Sequence, residues 1–207
     1  NIPHRMHMRR LREIDLRREA AIEKINMLRS EIRKKEQLLQ NVPRQIERLN
    51  FFKSMVERLI KVKELDDVYR TVVGQIRASY EHADVILIYQ LQRGVLKLAY
   101  SYKDERLTPH IKNKVGDILD YWVIKQNKEL LIEDIRHDFR FDPERIEALR
   151  EREIGSLIVS PMLMGKTTVG VVRVESTHTR NFGFDDLRIL SVIADITALC
   201  IDRLHLV

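Results

Sequence analysis

The stretch SLIVSPMLMGKTTVGVVRVE, residues 156–175, holds two β-branched and apolar runs, Ser156 to Met164 and Thr168 to Glu175, joined at Gly165-Lys166. Runs of that length on either side of a glycine turn predict the two strands of a hairpin. Working outward, Asp84 to Gln90 is another β-branched run, Arg93-Gly94 is a turn, and Val95 to Tyr102 alternates as its return strand. Leu65, Val68, Val72 and Ile76 keep a helical spacing through Ala78, and Leu130-Leu131-Ile132 predicts a short strand. Pro143 to Glu153 predicts a charged helix, and a last helix begins near Asp185, a candidate N-cap. The predicted order is helix, hairpin, short helix, strand, helix, hairpin, helix: a sheet covered by helices, α+β in class.

Upstream of this segment the period changes. With Ile25 at a, the a positions are Leu11, Arg18, Ile25, Ile32, Leu39, Ile46, Lys53 and Ile60. The d positions are Ile14, Ala21, Leu28, Lys35, Val42, Leu49 and Val56. Twelve of these fifteen are apolar, so the heptad pattern predicts a coiled coil over residues 1–62 and a globular domain over 63–207. Pro43 removes an amide and predicts a kink or two abutting helices, with the heptad phase kept across it. A parallel pair sets Lys24 against Arg29 and Glu31 against Glu36, like charges in both cases. Ile22, Leu38, Phe52 and Leu59 lie beside the seam and widen the apolar stripe, which points to more than two helices along the second half. The competing reading is a long helix packed on its own domain.

Charge separates the same two segments. Residues 1–62 hold 16 basic against 8 acidic residues, a balance of +8, and residues 63–207 hold 21 against 23, a balance of −2. A basic helix fits a solvated face, an anionic membrane surface or nucleic acid. Acids among the arginines and no interleaved aromatics in residues 1–50 disfavour nucleic acid. Cys200 is the single cysteine, which excludes a disulfide framework and CxxC chemistry and suits the cytoplasm. No run of about 18 apolar residues is present. The chain starts at Asn1 and its last helix runs to Val207 without Gly or Pro, so it reads as the middle of a longer protein. Arg5, Arg9, Arg10 and Arg12 would suit a membrane tether upstream of Asn1, as cytoplasmic flanking charges.

The series Leu65-Asp66-Asp67-Val68, Asp84-Val85-Ile86-Leu87-Ile88-Tyr89, Glu129-Leu130-Leu131-Ile132-Glu133-Asp134-Ile135 and Ile154 to Met162, closing with Val169-Gly170-Val171-Val172 and Phe184 to Leu190, resembles a GAF domain over residues 64–207. That resemblance implies a six-stranded antiparallel sheet, the first and last helices on one face, a small-molecule pocket on the other, and dimers through flanking helices. The family occurs in sensor kinases, cyclic-nucleotide phosphodiesterases, diguanylate cyclases and transcription regulators. Its ligands vary too widely for the fold to name one. Glu175-Ser176-Thr177-His178 replaces the Asn-Lys-Phe pattern of cyclic-nucleotide binders, with Asn181-Phe182 a partial echo, so that ligand is doubtful. Cys200 in the last helix disfavours a covalent bilin. One cysteine cannot supply the thiol exchange of the free methionine sulfoxide reductases. Ile118, Asp120 and Asn127 stand where the family often has glycine, which alters the loop near the pocket.

Candidate ligand residues follow from alternation and placement. Along the last hairpin Gly170, Val172 and Val174 suit the helix-packed side, leaving Arg173 and Glu175 with Val171 on the other. Arg173 is the candidate anion ligand, against a solvent-facing or Glu175-paired surface role. On the preceding strand the same logic sends Leu157, Val159 and Pro161 toward the helices and Ser156, Ser160 and Met162 toward the pocket. Trp122 either stacks on a planar ligand or anchors the core. Arg136, His137 and Phe139, with Phe141, form a basic and aromatic loop that closes over a ligand or is pinned by two core phenylalanines. Histidine spacing offers no metal site, His4 with His7 aside, and His110 or His137 are the conceivable haem ligands. No catalytic triad order, phosphate loop or nucleophile elbow is present, so the reading expects no enzyme activity within this chain.

The last helix carries apolar residues on two faces: Leu187, Leu190, Ala194, Ile201 and Leu204 with Thr197, and Ile189, Ile193, Ile196, Cys200 and Val207. The expected dimer interface is therefore Ile25, Leu28, Ile32, Leu39, Ile46, Leu49, Val56 and Ile60 with Ile189, Ile193, Ile196 and Cys200. The functional expectation is a homodimeric sensor of an unknown small molecule or partner. It relays through its helices to an output domain beyond Val207, of diguanylate cyclase, histidine kinase or transcription-regulator type. The alternative is a ligand-free scaffold, favoured if the pocket is filled by its own side chains.

Overall fold

The computed structural model describes residues 2–107 and 111–205, with side chains at 12, 16–107 and 111–204. His110 and Val207, and the side chains of His4, Arg5, His7, Arg9, Arg10, Leu11, Ile14 and His205, lie outside what is described. The chain divides into two compact units, residues 1–53 and 54–207.

In the first unit, helix α1 (Ile2–Leu59) runs without a break through Pro43, so neither abutting helix of the sequence reading is needed. Its seam residues from Ile25 to Leu49 are solvent-facing, with Leu39 70% and Leu49 68% exposed. The end of α1 belongs to the second unit, where Met55 and Leu59 are buried, Val56 is half-buried and Ile60 is exposed.

The second unit is built on a five-stranded antiparallel sheet, β1 (Val85–Gln92), β2 (Val95–Lys103), β3 (Leu130–Ile132), β4 (Ser156–Met164) and β5 (Thr167–Ser176), in the order β2-β1-β5-β4-β3. The first hairpin closes on Arg93-Gly94 with φ of 51° and 80°, the doubly left-handed turn that matches strand twist. Five strands are found among the described residues, not six. Residues 114–116 run along β2, with Leu98 N donating to Lys114 O at 2.8 Å and Gly116 N to Leu96 O at 2.9 Å, but only the bridge Lys97 to Val115 forms. The Asn113 side chain, accepting from Val115 N, turns the backbone away before a ladder develops.

Helices α2 (Leu65–Ser79) and α5 (Phe184–His205) pack together, and α5 covers β4. The inner faces of these helices are Val68, Val72 and Ile76 on α2 and Leu190, Ile193, Ala194 and Ile201 on α5. Ile193 is fully buried, so its placement in a dimer interface is corrected: it turns inward with Leu190 and Thr197, three and four residues away. Ile189, Ile196 and Cys200 are half-buried, while Phe184, Val192 and Leu199 are exposed. The start of α5 also differs: Asp186, not Asp185, accepts from Gly183 N at 2.8 Å. The predicted charged helix after Pro143 is a 3₁₀ turn, Pro143–Arg145, and the single turn α4 (Ala148–Glu151), because Ile146 leaves the helical conformation to reach the core.

The opposite face of the sheet carries a second core of Val85, Leu87, Leu157, Val159 and Val171 beneath α3 (Ile118–Gln126), whose Leu119 and Val123 point down onto it. Among the described residues no helix is long and apolar enough to cross a membrane.

Candidate functional site

Antiparallel partners that sit directly opposite project to one face. Val159 pairs with Arg173, Leu157 with Glu175, and Leu87 with Arg173, so Arg173 lies at the centre of the α3-covered face, ringed by apolar side chains. The same register pairs Ser160 with Val172 and Met162 with Gly170. This overturns the sequence placement of Ser160 and Met162: both are buried on the α2 and α5 face, while Leu157, Val159 and Pro161 lie with Arg173. Alternation fixes parity within a strand, but only the pairing relates one strand to the next.

A guanidinium in an apolar layer must be matched there. Arg173 is fully buried, and its Nη1 donates to Asp117 Oδ1 at 2.9 Å and to Asp120 Oδ2 at 3.2 Å. Both carboxylates belong to the start of α3. Asp117 is its N-cap, accepting from Leu119 N at 2.9 Å, and Asp120 accepts from Asp117 N at 2.9 Å, a reciprocal capping box. Such a cap contributes about 1 kcal/mol to a helix. Here its two acids also hold α3 onto β5. Glu175 Oε1 lies 2.7 Å from Arg173 Nε, and Arg152 clamps Glu175 in fork geometry with two bonds of 2.6 Å. Glu151 then joins Arg152 at 3.3 Å and accepts from Asn113 N at 2.9 Å, which ties the segment before α3 into the same network.

The cluster is not closed. Arg173 Nη2 and Nε have no aligned acceptor, Nε despite its nearness to Glu175, and Asp117 Oδ2 and Asp120 Oδ1 have no donor. Buried polar atoms without partners cost on the order of 1–3 kcal/mol each, so the cluster keeps unmatched donors and acceptors in the interior.

Titration of the cluster is split by environment. Burial, only partly opposed by Arg173, pushes the Asp120 carboxyl up to about 7, and the nearby Asp117 charge adds to the rise. Burial also works against the charged form of Asp117, but there Arg173 and three hydrogen bonds outweigh it and hold the group below the usual carboxylate range. Burial, with Asp120 adding, raises the Tyr89 phenol. Arg173 stays charged, since Asp117, Glu175 and Asp120 more than offset its desolvation.

Of the residues singled out from sequence, Arg173 and Glu175 are in this cluster, and Arg173 is neither solvent-facing nor a surface residue. Trp122, half-buried on α3, meets Phe141 edge-to-face with ring centroids 6.0 Å apart. Arg136, His137 and Phe139 stand on an exposed loop, where His137 Nδ1 contacts Asp134 Oδ2 at 2.8 Å. His137 and Phe139 line a separate groove with Arg140, Arg180 and Phe184. Phe139 is 97% exposed, so the expectation of two core phenylalanines is corrected: Phe141 alone is buried. The sequence reading missed Asp117, Asp120 and Arg152. The acid-x-x-acid spacing ahead of an apolar helix carried a signal for the first two. Arg152 had none, since its partner Glu175 is 23 residues away. Among the described residues no three His, Cys, Asp or Glu side chains are grouped to hold a metal ion.

A sequence model described as GAF domain matches residues 62–202. No curated protein matches the chain. The GAF domain of an Acinetobacter phosphoenolpyruvate-protein phosphotransferase is 18% identical, covering 77% of this chain and 95% of its own, with a TM-score of 0.61. That of a Bacillus halodurans two-component sensor histidine kinase is 20% identical, covering 70% and 98%, with a TM-score of 0.54. The reduced form of fRMsr of Staphylococcus aureus, a free methionine-R-sulfoxide reductase, is 13% identical, covering 74% and 94%, with a TM-score of 0.60. Cyanobacteriochrome GAF domains share the fold as well, among them TePixJ, and so does a far-red absorbing protein with bound biliverdin.

These comparisons correct the expectation that the chain has no enzymatic role. Reductases from Thermoplasma acidophilum and Neisseria meningitidis join the staphylococcal one on this fold, so the fold is one that carries catalysis. Side chains that perform chemistry are gathered from distant segments, and the missing contiguous motif on which the expectation rested carries no weight.

Proposed function

The chain belongs to the GAF domain family, and from that premise we propose that it is the homodimeric regulatory module of a larger signal-transduction protein. A small polar molecule or a partner acts at Arg173, and the flanking helices carry the change to an output domain of diguanylate cyclase, histidine kinase or transcription-regulator type. The observation that carries this reading is the Arg173 cluster, a fully buried cation with two nitrogens lacking aligned acceptors, beside two acids each with one oxygen lacking a donor. A guest offering both acceptors and donors competes for the groups that hold the start of α3 to β5. A shift of α3 changes the packing on β5, whose neighbour β4 bears α5. The last turns of α5 are in turn joined to the end of α1, because the Arg203 guanidinium donates to the carbonyls of Ile60, Val62 and Leu59 at 2.6, 2.6 and 3.2 Å. A cation on the carbonyls at the end of a helix is a favourable contact.

A second reading is supported by the same region: its centre is filled by the protein's own Arg173, Asp117, Asp120, Glu175 and Arg152, as a ligand-free scaffold requires. Native mass spectrometry of protein purified without denaturation separates the two. The sensor reading expects a retained mass that Arg173→Met loses while circular dichroism stays unchanged. No retained mass, together with no thermal shift from carboxylates, amino acids or nucleotides, refutes it and leaves the scaffold.

A further inference from the structure

We infer that α1 pairs with the α1 of a second copy in antiparallel orientation, in the register that sets Ile25 against the partner's Val42. The inference rests on the dimer proposed above and adds its geometry. In a single chain the seam of α1 is open to solvent, with Ile25, Leu28, Ile32, Leu39, Ile46 and Leu49 between 46% and 70% exposed. Their period identifies the occupant. A seven-residue repeat drifts by about 20° per heptad around a straight helix, so a flat surface loses contact with it while a second supercoiling helix follows it. A second copy of α1 supplies the same repeat over the same length.

Charge decides the direction. In a parallel pair a faces a and d faces d, which brings Arg18 against the partner's Arg18 and Lys35 against the partner's Lys35 inside the seam. The flanks are no better, with Lys24 beside the partner's Arg29 and Glu31 beside the partner's Glu36. In an antiparallel pair a faces d. Lys35 then meets the partner's Ile32, Arg18 meets the partner's Leu49, and Leu28 packs on the partner's Leu39. At the e positions Arg29 faces the partner's Glu36, once on each side of the two-fold, and Ile22 lies against the partner's Pro43. Opposite charges at such flanking positions set partner orientation in coiled coils. A slip of one heptad in one direction sets Arg29 and Glu31 each against its own copy, and a slip in the other sets Glu36 against itself. The two-fold therefore falls between residues 33 and 34.

Electron-electron resonance on the full chain tests this, with a spin label at Glu19→Cys in a Cys200→Ser background; Glu19 is exposed and off the seam. In the inferred register residue 19 lies opposite residue 48 of the partner, an axial offset of 29 residues or about 44 Å at 1.5 Å per residue. The expected distance is therefore about 45 Å, and mixed Leu28→Cys and Leu39→Cys chains form a disulfide between them. A distance below about 25 Å, with Leu28→Cys cross-linking to itself, overturns the orientation and leaves the dimer standing. Sedimentation as a monomer overturns the dimer reading and this inference together.

Discussion

Replacing Asp120 by Asn keeps the shape of the capping side chain and removes one titrating group from the buried cluster. The Asp120 carboxyl sits at about 7 in the folded protein, against an ordinary value of 3.8. A group raised in the folded state stabilises the protein at low pH. That contribution is lost as pH rises, because the unfolded chain releases its proton near 3.8 while the folded protein holds it to about 7. At 1.36 kcal/mol for each pH unit between those two values, the full span is about 4 kcal/mol. Between pH 5 and pH 8 the loss from this group is about 3 kcal/mol, by the same linkage. Urea titrations at both pH values, followed by the fluorescence of the single tryptophan, report on α3 directly, since Trp122 lies two residues from Asp120. Asp117, held below the usual carboxylate range, and Tyr89, raised above the usual phenol range, do not titrate between pH 5 and pH 8, so the double difference reads Asp120. The Asp120→Asn protein is expected to keep about 3 kcal/mol more of its pH 5 stability at pH 8 than the parent does. An equal pH dependence in the two proteins refutes the reasoning.

Three further outcomes follow from the packing. Gly170→Ala drives a Cβ into the Tyr89 carbonyl and the Met162 methyl, and an overpacked site of this kind costs about 2–3 kcal/mol in chemical unfolding. Arg152→Met strips Glu175 of its fork of two hydrogen bonds and costs about 3 kcal/mol, with part of the loss recovered when Glu175→Gln is added. Phe139→Ser changes stability by less than about 0.5 kcal/mol in thermal melts, because the ring touches little of the core.

Sequence reading reached the fold because its signals are local. The Arg93-Gly94 turn fixes a two-residue hairpin, the β-branched runs fix β1, β4 and β5, and Val68, Val72 and Ile76 mark the inner face of α2. The site was legible only in part because it is assembled across sequence distance. Arg173 meets Asp117 from 56 residues away, and alternation could place Arg173 on the correct face without saying which face Ser160 shared. The bulge at Met162/Leu163 shifts the hairpin register, so counting back from the turn gives the wrong pairing for β4. Ile193 shows the same limit on α5, where apolar residues on two sides do not reveal which side the domain covers.

What the cluster does for the fold bears on what it does for function. A buried ion network is weak support for stability, since apolar side chains of similar volume often fill such a space as well or better. Arg173, Asp117 and Asp120 specify something narrower: the position of one helix on one strand, through bonds that exist only when the N-cap of α3 sits over β5. An apolar contact would tolerate sliding, whereas a shared guanidinium does not. The same arrangement leaves Arg173 Nη2 and Asp117 Oδ2 without partners and raises the Asp120 carboxyl to about 7, so the helix is held by a network that a proton can rebalance. On the regulatory reading proposed above, position and responsiveness then come from one set of side chains.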